Sequence, residues 1–470
     1  MNYRGISFYL GLFYFPISFL AFINILYSSY FDYFLSFNSY LVTLFLSLIL
    51  GSALYLFGKK ANKQIIFVEQ LILIILVYLT IGALISIPFY LSNFEISSSS
   101  AFLEAISGLT GTGFSIFNNI KYLDPTLILW RSSSQWIGGL YFLLFLNLVF
   151  SNKKFNFKMT DLSFSEEINF NHEEKIKNII IKIFLLYLTL TLVILSLLNI
   201  SGVRLFNSTN LTMTLVSSGG FLPLDNLNEI IITNFQKIIL IISLIIPFLN
   251  FYLLFNIFNK RVFIKEHQED IYLIGISLIF IILIFFNQNG LINIIISVFS
   301  SLSNSGISLI DSDNNLSLYF LLITLVGGSL MSNTSGIKLT RFYILLKITA
   351  SEVIKLISPN SIINKTLFGS KKKITEENVQ FSFLIFISFF LSLLILSSIL
   401  VIDDIGFERS FKLSILTLTN TVNSEMYDLQ NFDFANLLTS SKISLIIFMI
   451  IGKIELISIF LIFKKILFKD

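Results

Sequence analysis

Long apolar stretches separated by short polar connectors dominate this chain of 470 residues. A helix needs roughly 20 residues to cross about 30 Å of hydrocarbon. Runs of that length recur at about 6 to 27, 39 to 57, 64 to 91, 126 to 150, 178 to 200, 230 to 258, 271 to 287, 316 to 347, 379 to 402 and 441 to 465. The pattern predicts ten membrane crossings. The first run is long and leads into a second without a small-residue cleavage site, so it reads as a retained helix rather than a signal peptide.

The connectors alternate in character. GKKANK (Gly58 to Lys63), the segment from Ser151 to Lys177, NKRVFIKEHQED (Asn259 to Asp270), the linker from Lys355 to Glu377 and the FKKILFKD tail all carry lysine clusters. By the positive-inside rule these face the cytoplasm, which puts both termini inside. The opposite connectors carry Glu95, Asp124, Asp225, Asp311, Asp313, Asp403, Asp404, Asp428 and Asp433. An acidic outer face concentrates cations by field focusing, although any one of these carboxylates reads equally well as an ordinary solvated loop residue.

These outer connectors are too apolar to be plain loops. Each has about ten residues of semi-polar helix pattern, then a tetrad of small residues, then a polar exit. The tetrads are TGTG (Thr110, Gly111, Thr112, Gly113), SSGG (Ser217, Ser218, Gly219, Gly220), SNSG (Ser303, Asn304, Ser305, Gly306) and NTVN (Asn420, Thr421, Val422, Asn423). One element thus occurs four times, roughly 90 to 120 residues apart, which is the signature of a repeated structural unit. A lone tetrad could equally be a small-residue helix-packing face; four in equivalent positions favour a different reading. Non-helical chain at membrane depth must be buried in protein or line a watery cavity. Four such dips around one axis can turn backbone carbonyls inward and replace the hydration shell of a monovalent cation. The sixteen tetrad residues are therefore the candidate selectivity filter and cation-binding positions.

Composition narrows the field. Hydrophobic residues make up 55% of the chain and charged residues 13%, against roughly 45–50% and about 25% in soluble domains. Mean hydropathy is +0.84. There is no cysteine, and the two histidines, His172 and His267, lie in polar connectors. Disulfides and thiolate metal sites are excluded, and little is left for an imidazole-based active site. A membrane enzyme would need clustered intramembrane His, Asp or Glu, whereas Glu455 stands nearly alone. No enzymatic step and no cofactor in this chain are expected.

The eighth apolar run contains GGSLMSNTSGIKLTRF, Gly327 to Phe342. Such a run of Gly, Ser, Asn and Thr breaks a helix halfway across the membrane, and Lys338 lies deep. Glu104, in the first semi-polar helix, reads either as a carboxylate bonded to loop N–H groups or as a solvated residue near the helix start. Arg131 reads as tying a helix end to loop carbonyls, because a bare cation on the path would repel the permeant ion.

AFLEAISGLTGTGFS followed by LDPTLILWRSSSQWIGGL resembles the first pore loop and following helix of the Trk/Ktr/HKT superfamily of potassium transporters, through Trp130, Arg131, Gln135, Trp136, Gly138 and Gly139. SSGGF, FLNFYLLF around Asn250, NSGIS, the linker SPNSIINKTLFGSKKKITEENV and GKIE (Gly452 to Glu455) are similar to later stretches of the same family, and two leading helices resemble its Trk branch. The resemblance implies that Gly327, Gly328, Ser332, Asn333, Thr334, Ser335, Gly336 and Lys338 form an intramembrane gate loop below the filter. Lys453 would be its holder, in place of the family's arginine, and a lysine makes a looser latch than a planar guanidinium. It also implies one filter glycine per repeat. Gly113, Gly220 and Gly306 fit, whereas the fourth position aligns with Asn423, which leaves potassium against sodium selectivity open.

The expected architecture is an all-α polytopic membrane protein with two leading helices (1–60) and four pseudo-symmetric helix, pore-loop, helix repeats around a central pore. Repeat boundaries are 61–150, 151–262, 263–350 with the gate loop, and 379–470, with a cytoplasmic linker at 351–378. The expected function is potassium uptake across the cytoplasmic membrane; the alternative is a cation-coupled symporter with broken helices. The resemblance further implies a homodimer bound by a cytosolic nucleotide-binding regulatory subunit. No nucleotide loop is evident in this chain, and no nucleic-acid partner is expected.

Overall fold

The computed structural model describes residues 1–31, 37–63, 65–150, 172–258, 267–286, 290–309, 316–359, 361, 364–368, 373–430 and 432–454. Asp311 and Asp313, most of the lysine-rich stretches between 151 and 171 and between 259 and 266, Glu455 and the tail lie outside these residues. Among the described residues the secondary structure is helical, with one isolated bridge between Thr366 and Lys373. The helices are α1 (Tyr3–Tyr30), α2 (Phe37–Gly58), α3 (Phe67–Tyr90), α4 (Ser98–Thr110), α5 (Pro125–Phe150), α6 (His172–Ile200), α7 (Leu205–Val216), α8 (Asn234–Phe248), α9 (Phe251–Phe258), α10 (Gln268–Phe285), α11 (Leu291–Leu302), α12 (Ser317–Val326), α13 (Leu339–Ile357), α14 (Glu376–Ile402), α15 (Phe407–Thr419) and α16 (Thr439–Ile454).

Six of the described helices are long and apolar enough to cross a membrane: α1, α2, α3, the 180–200 part of α6, α10 and α14. The chain is a multi-pass membrane protein. The run at 126–150 does form one helix, α5, but its middle carries Arg131 through Gln135, all buried. The run at 316–347 is split into α12 and α13, and the last run is described only as far as Ile454.

The expected unbroken crossing at 230–258 is not one helix. It bends by 113° between α8 and α9. Pro247 sits in the last turn of α8, and the backbone groups freed at the break find partners elsewhere. The Phe248 carbonyl accepts from Ser329 N at 2.9 Å, and Pro247 O accepts from Asn333 N at 3.1 Å. Phe251 N donates to Met331 O at 2.9 Å. The bend is therefore stabilised by the chain between α12 and α13.

α4, α7, α11 and α15 are short helices of 12 or 13 residues, each packed against its neighbours in the chain. Helices pack around a ring in chain order: α5 on α7, α8 on α11, α12 on α15, and α16 back on α4. Glycines set the closest approaches. Gly138 of α5 lies against the Leu109 carbonyl near the end of α4, and Gly452 of α16 lies in the same way against the Leu418 carbonyl near the end of α15. Any side chain at either glycine would collide with a backbone oxygen, so two related helices use one device to seat two related short helices. α1 and α2 form a closely packed hairpin beside this ring.

Candidate functional site

Each short helix ends in the same way. One or two residues past the last helical residue, the chain takes the left-handed conformation: Gly111 at φ 77°, Ser218 at 60°, Asn304 at 57° and Asn420 at 50°. Glycine and asparagine are the usual residues at such helix ends. One position on, an amide reaches back five residues: Thr112 N to Ser107 O at 2.9 Å, Gly219 N to Thr214 O at 2.8 Å, Ser305 N to Ser300 O at 3.1 Å and Thr421 N to Leu416 O at 2.9 Å. Hydroxyl pairs brace three of the turns: Thr110 with Thr112 at 2.7 Å, Ser303 with Ser305 at 2.9 Å and Thr419 with Thr421 at 3.0 Å.

These equivalences correct the fourth register. Its tetrad is Thr419 to Val422, one residue earlier than Asn420 to Asn423, and the residue matching Gly113, Gly220 and Gly306 is Val422. Asn423 lies one step beyond the ring, where it lines the adjoining cavity and its amide donates to Leu429 O at 3.2 Å. The degenerate sequence hid the shift, because NTVN offers no glycine to anchor an alignment.

The four turns converge. A Cβ built on Gly113 would stand 3.0 Å from the Val422 side chain and 3.2 Å from Gly220 Cα. A Cβ on Gly306 would stand 2.8 Å from Val422 Cγ1. Above this ring opens a cavity of about 200 Å³, lined in part by Gly113, Gly220, Ile307, Val422, Asp225 and Glu425. Each short helix brings its C-terminal, electronegative end to the ring, an arrangement that favours cations.

The first turn is held from behind by a buried ion pair. Arg131 Nε donates to Glu104 Oε1 at 2.8 Å, and its Nη2 donates to Ser115 Oγ at 2.9 Å. The other Glu104 oxygen accepts from Ile116 N at 2.8 Å. Glu104 thus binds a loop N–H, and Arg131 reaches its carboxylate rather than loop carbonyls. The Arg131 guanidinium also lies 4.2 Å from the centre of the Phe221 ring, just past the second turn. Gln135 accepts from Phe221 N at 3.2 Å, so α5 positions two adjacent turns.

Residues 327 to 338 fill the space beneath the ring. Lys338, at φ 74°, donates from Nζ to Thr334 O at 2.5 Å, Thr334 Oγ1 at 2.9 Å and Ser332 Oγ at 3.1 Å. Gly328 N donates to Thr334 Oγ1 at 2.9 Å. Asn333 Nδ2 donates to Val216 O at 2.9 Å, the end of α7, and Ser335 Oγ donates to Asn420 Oδ1 at 2.8 Å. Asn304 lies beside Gly327, and its Nδ2 donates to Thr421 Oγ1 at 3.1 Å. Gly336 N-terminal to Lys338 packs against the Leu325 and Thr324 carbonyls. Lys453 Nζ donates to Asn333 O at 3.0 Å and lies 4.5 Å from the Phe142 ring centre. The plug is thus bonded to the end of α7 and to the fourth turn, and touches the third.

Sequence reasoning missed the plug's other supports. Glu269, at the start of α10, accepts from Leu330 N at 3.2 Å and from Thr340 N at 3.1 Å, and also from the Thr340 hydroxyl. Asp270 Oδ1 accepts from Asn250 N at 2.9 Å at the α8–α9 bend. Both acids sit inside the lysine-rich stretch read as a cytoplasmic connector. Their position directly before an apolar run was the available signal.

Many of the carboxylates expected on the outer face have structural partners. Asp225 accepts from Ile120 N at 2.6 Å, Asp403 from Leu438 N at 3.0 Å, and Asp433 from Ala435 N at 3.0 Å. Cations are set among them: Lys412 bonds Asp428 at 3.2 Å, and Lys442 donates to Ser100 Oγ at 2.9 Å. Among the described residues no group of three His, Cys, Asp or Glu is placed to hold a metal.

No protein-family model matches the chain. In sequence it is similar to a protein of Methanocaldococcus jannaschii named as an uncharacterized cation transporter, 29% identical over 401 residues, 82% of this chain and 80% of that one. It is 22% identical over 457 residues to the Trk system potassium uptake protein TrkG of Escherichia coli, covering 90% of each chain. In fold it is similar to the crystal structure of the potassium transporter TrkH from Vibrio parahaemolyticus, with a TM-score of 0.84 and 18% identity over 98% of both chains. These relatives are named as transporters, not enzymes.

Proposed function

We propose, from the premise that the chain is TrkH-like in sequence and in fold, that it carries potassium across the cytoplasmic membrane, with both termini inside. The permeant ion would pass the ring formed by the turns at Gly111–Gly113, Ser218–Gly220, Asn304–Gly306 and Asn420–Val422, where backbone oxygens take the place of water. Residues 327 to 338 would act as the gate, latched by Lys453. Potassium is the ion named for the TrkG and TrkH relatives, and it is the cargo rather than a resident metal. A homodimer with a cytosolic nucleotide-binding regulatory subunit is the assembly we assign by kinship.

The observation that carries this reading is the meeting of four quasi-equivalent turns at one point. A coupled symporter would instead bind its ions where two broken helices in related halves face each other. Among the described residues two breaks, at 249–250 and at 327–338, bond to each other, which favours one supported plug. Rubidium uptake into proteoliposomes holding the full chain tests the reading. Gly113→Asp should abolish uptake; equal uptake by both proteins removes the pore assignment. Uptake that requires an imposed sodium or proton gradient would favour the symporter.

A further inference from the structure

The ring contains three glycines and one valine, and the valine reaches across it. Because the quarters follow one another in chain order, the fourth faces the second. A Cβ built on Gly220 would stand 2.5 Å from Val422 Cβ. With a carbon–carbon bond of about 1.5 Å, the valine Cβ is then within about 4 Å of the Gly220 Cα. Carbon atoms are in contact at about 3.5–4.0 Å, so the opposed walls touch. The other two neighbours are just as close: Cγ2 stands 3.0 Å from a Cβ built on Gly113, and Cγ1 stands 2.8 Å from one built on Gly306. A single side chain that contacts all three other quarters lies on the axis itself.

We infer that Val422 is a constriction built into the filter, closing the axis at the glycine layer and limiting how fast cations pass. The inference rests on the reading of that axis as a cation path. An isopropyl group offers no oxygen to replace a hydration shell. Its β-branch also holds χ1 stiffly, so it does not swing aside freely. The cavity above opens onto Val422, so an ion arriving from outside meets this group before any carbonyl below it. Passage requires the side chain to rotate or the Val422 backbone to move outward. Throughput thereby depends, alongside the plug, on side-chain volume at this position, the one quarter of the ring that is not glycine.

Rubidium uptake by the full chain in proteoliposomes, compared across residue 422, tests this. Val422→Gly should raise the initial rate several-fold, Val422→Ala should raise it less, and Val422→Ile should lower it below the parent. A rate indifferent to this series, or one that falls as the side chain shrinks, overturns the inference. If Val422→Gly does not elute as a monodisperse protein, the Ala and Ile variants decide by the same ordering. Gly113→Asp separates the two levels. Parent uptake abolished by Gly113→Asp yet unaffected by residue 422 overturns the constriction alone, whereas parent uptake unchanged by Gly113→Asp, or absent throughout, overturns the cation path together with it.

Discussion

Lys453 Nζ, on α16, donates a 3.0 Å hydrogen bond to the carbonyl oxygen of Asn333, in the plug beneath the ring. Asn333 in turn donates to Val216 O at the end of α7. One ammonium therefore joins the last helix to the second quarter through the plug. It does so as a point charge holding one carbonyl, where a guanidinium could hold two.

Removing that charge should free the plug. Lys453→Met keeps the apolar stem and loses the donor, so the resting rubidium uptake of proteoliposomes should rise, while Lys453→Arg should lower it below the parent. Uptake that ignores both changes would show that this bond does not limit opening.

Glu269 supports the same segment from the opposite side, through Leu330 N and Thr340 N. Hydrogen bonds to a charged group contribute about 1.5–3 kcal/mol each. Glu269→Ala should therefore speed amide hydrogen exchange in peptides covering 327 to 341 and leave those covering α1 and α2 unchanged. Exchange rates equal to the parent in 327 to 341 would refute this support.

The Glu104–Arg131 pair is buried on both sides, at 0% and 1% side-chain exposure. Breaking such a pair by removing one partner costs about 3–5 kcal/mol, because the survivor is left as an uncompensated charge. Glu104→Gln and Arg131→Met should each lower the thermal unfolding temperature in detergent, and the double variant should lose less than the sum of the two single losses. Strict additivity would mean that the two groups stabilise the first turn independently.

Asn423 is bonded to Leu429 O beyond the ring, and the ring position belongs to Val422. Asn423→Gly should leave the ratio of rubidium to sodium uptake unchanged and cost about 1 kcal/mol of loop stability from the lost hydrogen bond. A sharpened ratio would return Asn423 to the filter and with it the later register.

The sequence by itself determined the membrane class, the four small-residue turns and the broken segment near Lys338. All three are local signals: apolar runs of spanning length, and glycine, serine or asparagine where a helix must stop. The register of the fourth quarter was not legible, because NTVN has no glycine. Its register is set by Asn420 reaching Thr112 Oγ1 at 3.0 Å and Met449 O at 2.9 Å, one of them more than three hundred residues away. The bend at Phe248 and the roles of Glu269 and Asp270 were hidden for the same reason, since their partners lie in the plug and at the bend. Only the tertiary structure placed the Val422 side chain against three glycines, because its direction depends on where three other quarters of the ring stand.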